Sequence, residues 1–401
     1  MDWAYLLEWL NLIGRWSHMI VGIAWIGASF YFIWLDDALL TPKNPADEER
    51  GVGGEVWSIH GGGFYHAQKY KVAPPALPET LHWFKWEAYT TWISGMFLMG
   101  LIYYLGAEVA LIDPQVRDLS PWQAIGIGLA FIVGGWIVYD LLCKSPIGND
   151  AMVLSGVLAI LVAAMAWGLC QLFSGRGAFI HFGAVLGTIM VANVFFVIIP
   201  GQREMVKAKQ EGRMPDGKYG AMGKQRSVHN TFFTLPVLFA MISNHYATAT
   251  GHHWNWLALI GLTVSGGLIR LWFVQRHTHQ GNPLVLAAGL VILIATALAL
   301  APRSATDEPA LAAGDVDFPK VAAIIAERCA TCHAAKPTRE GFAAPPKGVM
   351  LETPGQMRAY ATMILQQVWH TKAMPPGNIT ELTPQERDAI ARWIKLGAPI
   401  R

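Results

Sequence analysis

The sequence predicts an all-α protein in two parts: eight membrane-crossing helices within residues 1–301, and a small helical domain over 317–401 reached through a linker at 302–316. Three observations predict this. Of 401 residues, 53% are hydrophobic and only 14% charged, against roughly a quarter charged in soluble domains. The chain contains eight apolar stretches near the ~20 residues that a helix needs to cross a bilayer. After Leu300 the composition turns abruptly to APRSATDEPALAAGDVD, a Pro/Ala/Asp run with linker character. Thirty Lys and Arg against 28 Asp and Glu leave a net charge of +2, which argues against a nucleic-acid partner.

The apolar stretches run over 9–35, 87–106, 122–142, 151–173, 178–200, 228–247, 254–275 and 283–301. Helix is expected for each, because backbone groups in lipid must bond within their own segment. The N-terminal run MDWAYLLEWL has no basic region and two acidic residues, so the first span is expected to stay in place and not be cleaved as a signal peptide. Basic residues between the spans are segregated. Five lie in 36–86 and seven in 201–227, with Lys144 and Arg276 on the same side, whereas the alternate segments hold only Arg117 and Arg176. Lys and Arg stay on the cytoplasmic face, so both termini are expected in the periplasm of a bacterial inner membrane.

Residues 317–401 read as three helices, about 318–329, 354–370 and 384–396. The last has a marked start, with Thr383 as N-cap, Pro384 at the first helical position and Glu386 closing a capping box. Between the first two lies Cys329-Ala330-Thr331-Cys332-His333. C-x-x-C-H is the attachment signature of a c-type haem: on one turn both thiols reach vinyl groups and the next residue offers an imidazole to iron. A thioredoxin-like pair or half a zinc site lacks support, since there is no βαβ context and no second cysteine pair. The tail is therefore expected to be a small α-helical class I-like cytochrome c domain with one covalent haem c. Met374, kept out of a helix by Pro375 and Pro376, is the preferred sixth ligand, with His370 and Met350 behind it. Met357 and Met363, at helical spacing, read as core.

The run Arg15-Trp16-Ser17-His18-Met19, continuing through Gly22 to Phe32 and Leu35-Asp36, resembles the opening of the bacterial membrane-bound urate hydroxylases. Gly61-Gly62-Gly63-Phe64-Tyr65 and His82-Trp83-Phe84-Lys85-Trp86-Glu87-Ala88-Tyr89 resemble the same family. There a multi-span domain is fused to a C-terminal cytochrome c. The resemblance implies oxidation of urate to 5-hydroxyisourate without hydrogen peroxide, with electrons passed to the haem. From there they would go to a downstream respiratory acceptor, a soluble cytochrome c or a terminal oxidase.

Polar residues in apolar spans are costly and are functional candidates by default. Arg15, His18, Gly22, Trp25 and Ser29 recur on one face of the first span, expected to point into the bundle. Urate is planar and anionic, so its site wants aromatic faces, donors and a cation. The outer half of the bundle offers Arg15, His18 and His181 as catalytic candidates; the cytoplasmic face offers His82, Lys85, Trp86, Glu87, Gln202 and Arg203, with the Gly61–Gly63 backbone. A bilayer core of about 30 Å is too wide for one electron jump. The outer half is therefore favoured, unless a second, non-covalent haem held by His18 and His181 bridges the gap. The competing classes are a quinol-linked or structural electron-transfer subunit, and a transporter fused to a redox module.

Overall fold

The computed structural model describes residues 3–278, 280–301, 317–342 and 344–400; the expected linker at 302–316 lies outside them. Helix dominates. In chain order the long helices are α1 (Trp3–Asp37), α2 (Trp86–Leu98), α3 (Pro121–Lys144), α4 (Ala151–Cys170), α5 (Gly175–Ala192), α6 (Gly217–Ile242), α7 (Asn255–His277) and α8 (Pro283–Ala299). A π-helical turn, Met99–Tyr104, extends α2. Another, Asn193–Ile198, carries α5 on into Ile199–Gln210. Local chemistry sets the ends: Ser120 and Gln123 form a capping box at α3 with Pro121 at its first position, and the side chains of Asp150 and Asn282 cap α4 and α8.

Among the described residues five helices are long and apolar enough to cross a membrane: Tyr5–Asp37, Pro121–Lys144, Ala151–Cys170, Gly175–Gln210 and Asn255–His277. The other three of the expected spans differ for separate reasons. Helix α8 is shorter, at 17 residues, α2 is interrupted by its π turn, and α6 starts with a charged, polar half. Helix α5 is the central post, packed by α2, α3, α4 and α6, while α1 lies on α2 and α7 on α8. Close approach there depends on small residues. A Cβ on Gly135 would sit 2.5 Å from Val185, and one on Gly183 would sit 2.6 Å from Ala240.

The all-α expectation is corrected over 52–70, where β1 (Val52–His60) and β2 (Gly63–Tyr70) form an antiparallel hairpin. Gly61 and Gly62 both have positive φ, 57° and 81°, as a tight two-residue hairpin turn requires. The glycine run that read as a mobile turn or a ligand cradle is that turn. Glu55 anchors the hairpin base by accepting from the Lys43 N–H (3.1 Å) and from His66 Nε2 (2.8 Å), and these donors hold its carboxyl below the usual range.

The C-terminal domain contains α9 (Phe318–Arg328), α10 (Pro354–Ala359), α11 (Ala361–Ile364) and α12 (Pro384–Lys395). The single helix expected over 354–370 breaks at Tyr360 and ends in a π turn, Leu365–His370. The Thr383–Glu386 capping box is present. Val321, Ile325, Met357, Leu382, Ile390 and Trp393 form the core of this domain. The domain is seated directly on one end of the bundle: a Cβ on Gly377 would lie 2.9 Å from the carbonyls of Glu108 and Ile112, and one on Gly251 would lie 2.5 Å from that of Thr371.

Candidate functional site

Helix α9 ends at Arg328, and the chain winds through the cysteine motif with the Cys332 and His333 N–H groups both donating to the Cys329 carbonyl (3.1 and 2.9 Å). That turn brings Cys329, Cys332 and His333 to one cavity of about 310 Å³, which Met374 also lines. His333 donates Nδ1–H to the Val349 carbonyl at 2.9 Å, which leaves Nε2 as the free ligand atom. The two cysteines are unpaired, and burial pushes the Cys329 thiol up to about 12 and raises that of Cys332. Among the described residues no three His, Cys, Asp or Glu side chains converge as a metal cage. Two thiols, one free imidazole nitrogen and one thioether around a single cavity are a donor set that fits a c-type haem.

Arg387 is the residue behind Met374. It is buried, and donates to the carbonyls of Met374 (2.7 Å) and Val368 (2.8 Å) and to Asn378 Oδ1 (2.9 Å), clamping the Lys372–Asn378 loop onto α12. Met363 also lines the cavity but is half exposed, Met357 is core, and His370 and Met350 are not part of the lining.

The bundle supplies the opposite wall of this cavity through Val109, Arg176, Asn244, His245 and Ala247. Behind Asn244 stands Tyr103, buried, its hydroxyl hydrogen-bonded to the Asn244 amide. The Tyr103 ring meets His181 edge-on with centroids 6.4 Å apart.

The three catalytic candidates are thus partly assembled. His181 is fully buried among Tyr103, Tyr104 and Phe173, donates Nδ1–H to the Gly177 carbonyl (2.8 Å) and accepts from the Tyr104 hydroxyl at 3.4 Å. Its ring fills the space where Gly128 has no side chain; a Cβ there would be 2.5 Å from Nε2. His18 lies deeper, against Gly95, with Nδ1 2.9 Å from the Ser94 hydroxyl. Ser94 gives its own proton to the Thr90 carbonyl, so His18 Nδ1–H donates. The expectation that Arg15 points inward with His18 is corrected. Arg15 is exposed and bonds Asn11 (2.6 Å), while Gly14, His18, Gly22, Trp25 and Ser29 face the bundle. Both ring nitrogens of His181 thus have partners, Gly177 on Nδ1 and Tyr104 on Nε2.

At the other end of the bundle, beside the hairpin, lies a larger cavity of about 670 Å³ lined by Trp25, Ser29, Lys69, His82, Gln202 and Lys224 among others. It unites two residues of the second candidate region, His82 and Gln202, and leaves out Lys85, Trp86, Glu87 and Arg203. Asn230 connects it to a buried polar network that the sequence reading missed. Arg226 donates to Asp140 (2.9 Å), Asn193 Nδ2 donates to Asn230 (2.8 Å) and to the Tyr139 hydroxyl (3.1 Å), and that hydroxyl donates to His229 Nδ1 (2.8 Å). Arg226 is 1% exposed. The signal for this network was one aspartate, Asp140, in a span otherwise free of acid.

The pattern that defines the urate oxidase N-terminal family matches residues 4–301. The chain belongs to the urate oxidase N-terminal family. No match was found among curated proteins or among solved structures. The urate oxidase N-terminal region is thus the whole bundle with its hairpin, and it holds Arg15, His18, His181, Tyr103, Arg176 and Asn244. Membership points to oxidoreductase chemistry on urate. Cys329, Cys332, His333 and Met374 lie outside the matched segment.

Proposed function

We propose that this protein is a bacterial inner-membrane urate oxidase that converts urate to 5-hydroxyisourate. Its eight helices span the bilayer, and its termini and C-terminal domain are periplasmic. The reaction is urate + H2O → 5-hydroxyisourate + 2 H⁺ + 2 e⁻, so no hydrogen peroxide forms. Cys329 and Cys332 would hold one haem c, with His333 and Met374 as the side chains offered to its iron, and when bound it would supply one-electron chemistry toward a soluble cytochrome c or terminal oxidase. The observation that carries the reading is the shared cavity, in which the motif of the C-terminal domain faces Val109, Arg176, Asn244 and His245 of the urate oxidase domain.

The substrate site in this reading is the part of the bundle behind Tyr103. His181 and His18 are the proton acceptors in this reading. Tyr103 is the partition between those groups and the motif cavity, touching His181 on one side and Asn244 on the other. Arg387 keeps Met374 at the cavity, and Val349 keeps His333 in the tautomer that offers Nε2.

A second reading places urate in the hairpin-end cavity beside His82 and Gln202, favoured by that cavity's volume of about 670 Å³. It is disfavoured by distance. The 18 residues of helix from Trp86 to Tyr103 separate the two ends by about 25 Å at 1.5 Å per residue step.

The test is anaerobic addition of urate to the purified, oxidised full-length protein. Reduction of the covalent haem, with about two equivalents per urate consumed, supports the proposal. A haem that stays oxidised with urate but is reduced by quinol would replace it with a quinol-linked electron-transfer subunit.

A further inference from the structure

Arg176 lines the motif cavity from the bundle side. Its one hydrogen bond among the described residues is from Nη2 to the Val109 carbonyl at 3.2 Å, and no carboxylate there pairs with it. A guanidinium has five N–H donors in a planar fork suited to carboxylates, and one withdrawn from water without an anion is costly. The other cations on the cavity differ. Arg328 is already bonded to Glu386 (3.2 Å), Glu327 (3.3 Å) and the Thr380 carbonyl (2.8 Å), and Lys347 is exposed.

Asn244, also on the wall, is the second observation. Its side-chain oxygen is buried with no hydrogen-bond partner, while its nitrogen is the atom facing the Tyr103 hydroxyl. The two amide atoms are interchangeable by a flip. In the flipped state the Tyr103 hydroxyl donates to Oδ1, and Nδ2 becomes a spare donor on a residue that lines the same cavity as Arg176. The wall then presents a cation and an amide donor and no acid.

We infer that Arg176 and Asn244 of the urate oxidase domain bind the carboxylates of the haem carried by the C-terminal domain, so that the haem site is completed only when the two domains are docked. This rests on the reading above that Cys329 and Cys332 carry a haem. Both residues are cofactor-positioning groups, and Arg176 also sets the charge beside the haem: a cation there stabilises the reduced form. The close contacts at Gly251 and Gly377 hold the wall in place against the motif.

The experiment is an equilibrium redox titration of full-length, haem-loaded protein carrying Arg176→Gln, Arg176→Lys or Asn244→Leu. Arg176→Gln is expected to disfavour reduction by at least about tenfold, a fall of about 59 mV for a one-electron couple, and Arg176→Lys to recover most of it. An unchanged midpoint in Arg176→Gln overturns the inference. Should Arg176→Gln not accumulate, the redox-difference infrared bands of the haem carboxylates decide the matter in Arg176→Lys. A shift from wild type supports the contact, and identical bands overturn it. A pyridine haemochrome assay that finds no covalent haem in wild-type protein would instead bring down the functional reading.

Discussion

The two ends of the bundle each carry a cavity, and they differ in kind. The hairpin-end cavity is larger, about 670 against 310 Å³, but it carries acid as well as base: Lys69 and Lys224 both pair with Asp36, and Asp37 lines it too. The motif cavity is smaller, is walled by two domains, and keeps Arg176 without a carboxylate beside two thiols, an imidazole and a thioether. Unbalanced polar groups facing a cavity cost free energy until a ligand meets them. Charge left unmatched therefore marks the site better than volume does.

Removing the motif should have the largest effect. Cys329→Ala/Cys332→Ala is expected to abolish haem staining on a denaturing gel and urate-driven electron transfer together; undiminished turnover would break the comparison at its root. Next comes Arg226→Met, which leaves Asp140 with Lys144 (2.6 Å) as its remaining ion-pair partner and removes a buried donor from the network, and should cost about 1–3 kcal/mol in detergent unfolding. Arg226→Met/Asp140→Met should recover most of that, and equal losses in the single and double variants would show that the pair is not coupled.

Domain docking ranks third. Gly251→Val places side-chain atoms against the Thr371 carbonyl, at a cost of about 1–3 kcal/mol, so proteolysis within 302–316 should quicken and haem reduction by urate should slow while reduction by dithionite does not. If both rates hold, the seated arrangement is not the working one. Gly62→Val, at positive φ in the hairpin turn, should cost about 1–2 kcal/mol and leave urate oxidation intact. Smallest of all, His82→Ala and Gln202→Ala should change kcat/KM for urate by about twofold or less; a loss of a hundredfold would move the substrate to the hairpin end.

How far the sequence was legible depended on the range of the interaction concerned. The capping box at Thr383 and the helices expected near 318–329 and 384–396 were readable because caps and periodicity act within a few residues, whereas the single helix expected over 354–370 breaks at Tyr360. The hairpin was readable too, from Gly61-Gly62 between runs holding Trp57, Ile59, Phe64 and Tyr65, but apolar helix signals on both sides obscured a 19-residue segment of strand. Helical phase grouped His18 with Gly22, Trp25 and Ser29 correctly and placed Arg15 on their face wrongly. Gly14, the neighbouring residue, packs on Phe97 and Leu98 of α2, and Arg15 turns away from that contact to the exposed side of α1, where it bonds Asn11.

The sequence by itself determined most of the helices, the cap at Thr383 and the C-x-x-C-H spacing, because these are properties of short stretches of chain. The family match over 4–301 likewise needs no coordinates. Only the tertiary structure decided that Tyr103, His181, Asn244 and Arg176 stand together, 78 residues of chain separating Tyr103 from His181, and that the C-terminal domain closes over them. Seating of that kind is set by packing and by buried polar pairing between distant segments, of which Gly251 against Thr371 and Gly377 against Glu108 are the visible result. No local periodicity encodes it.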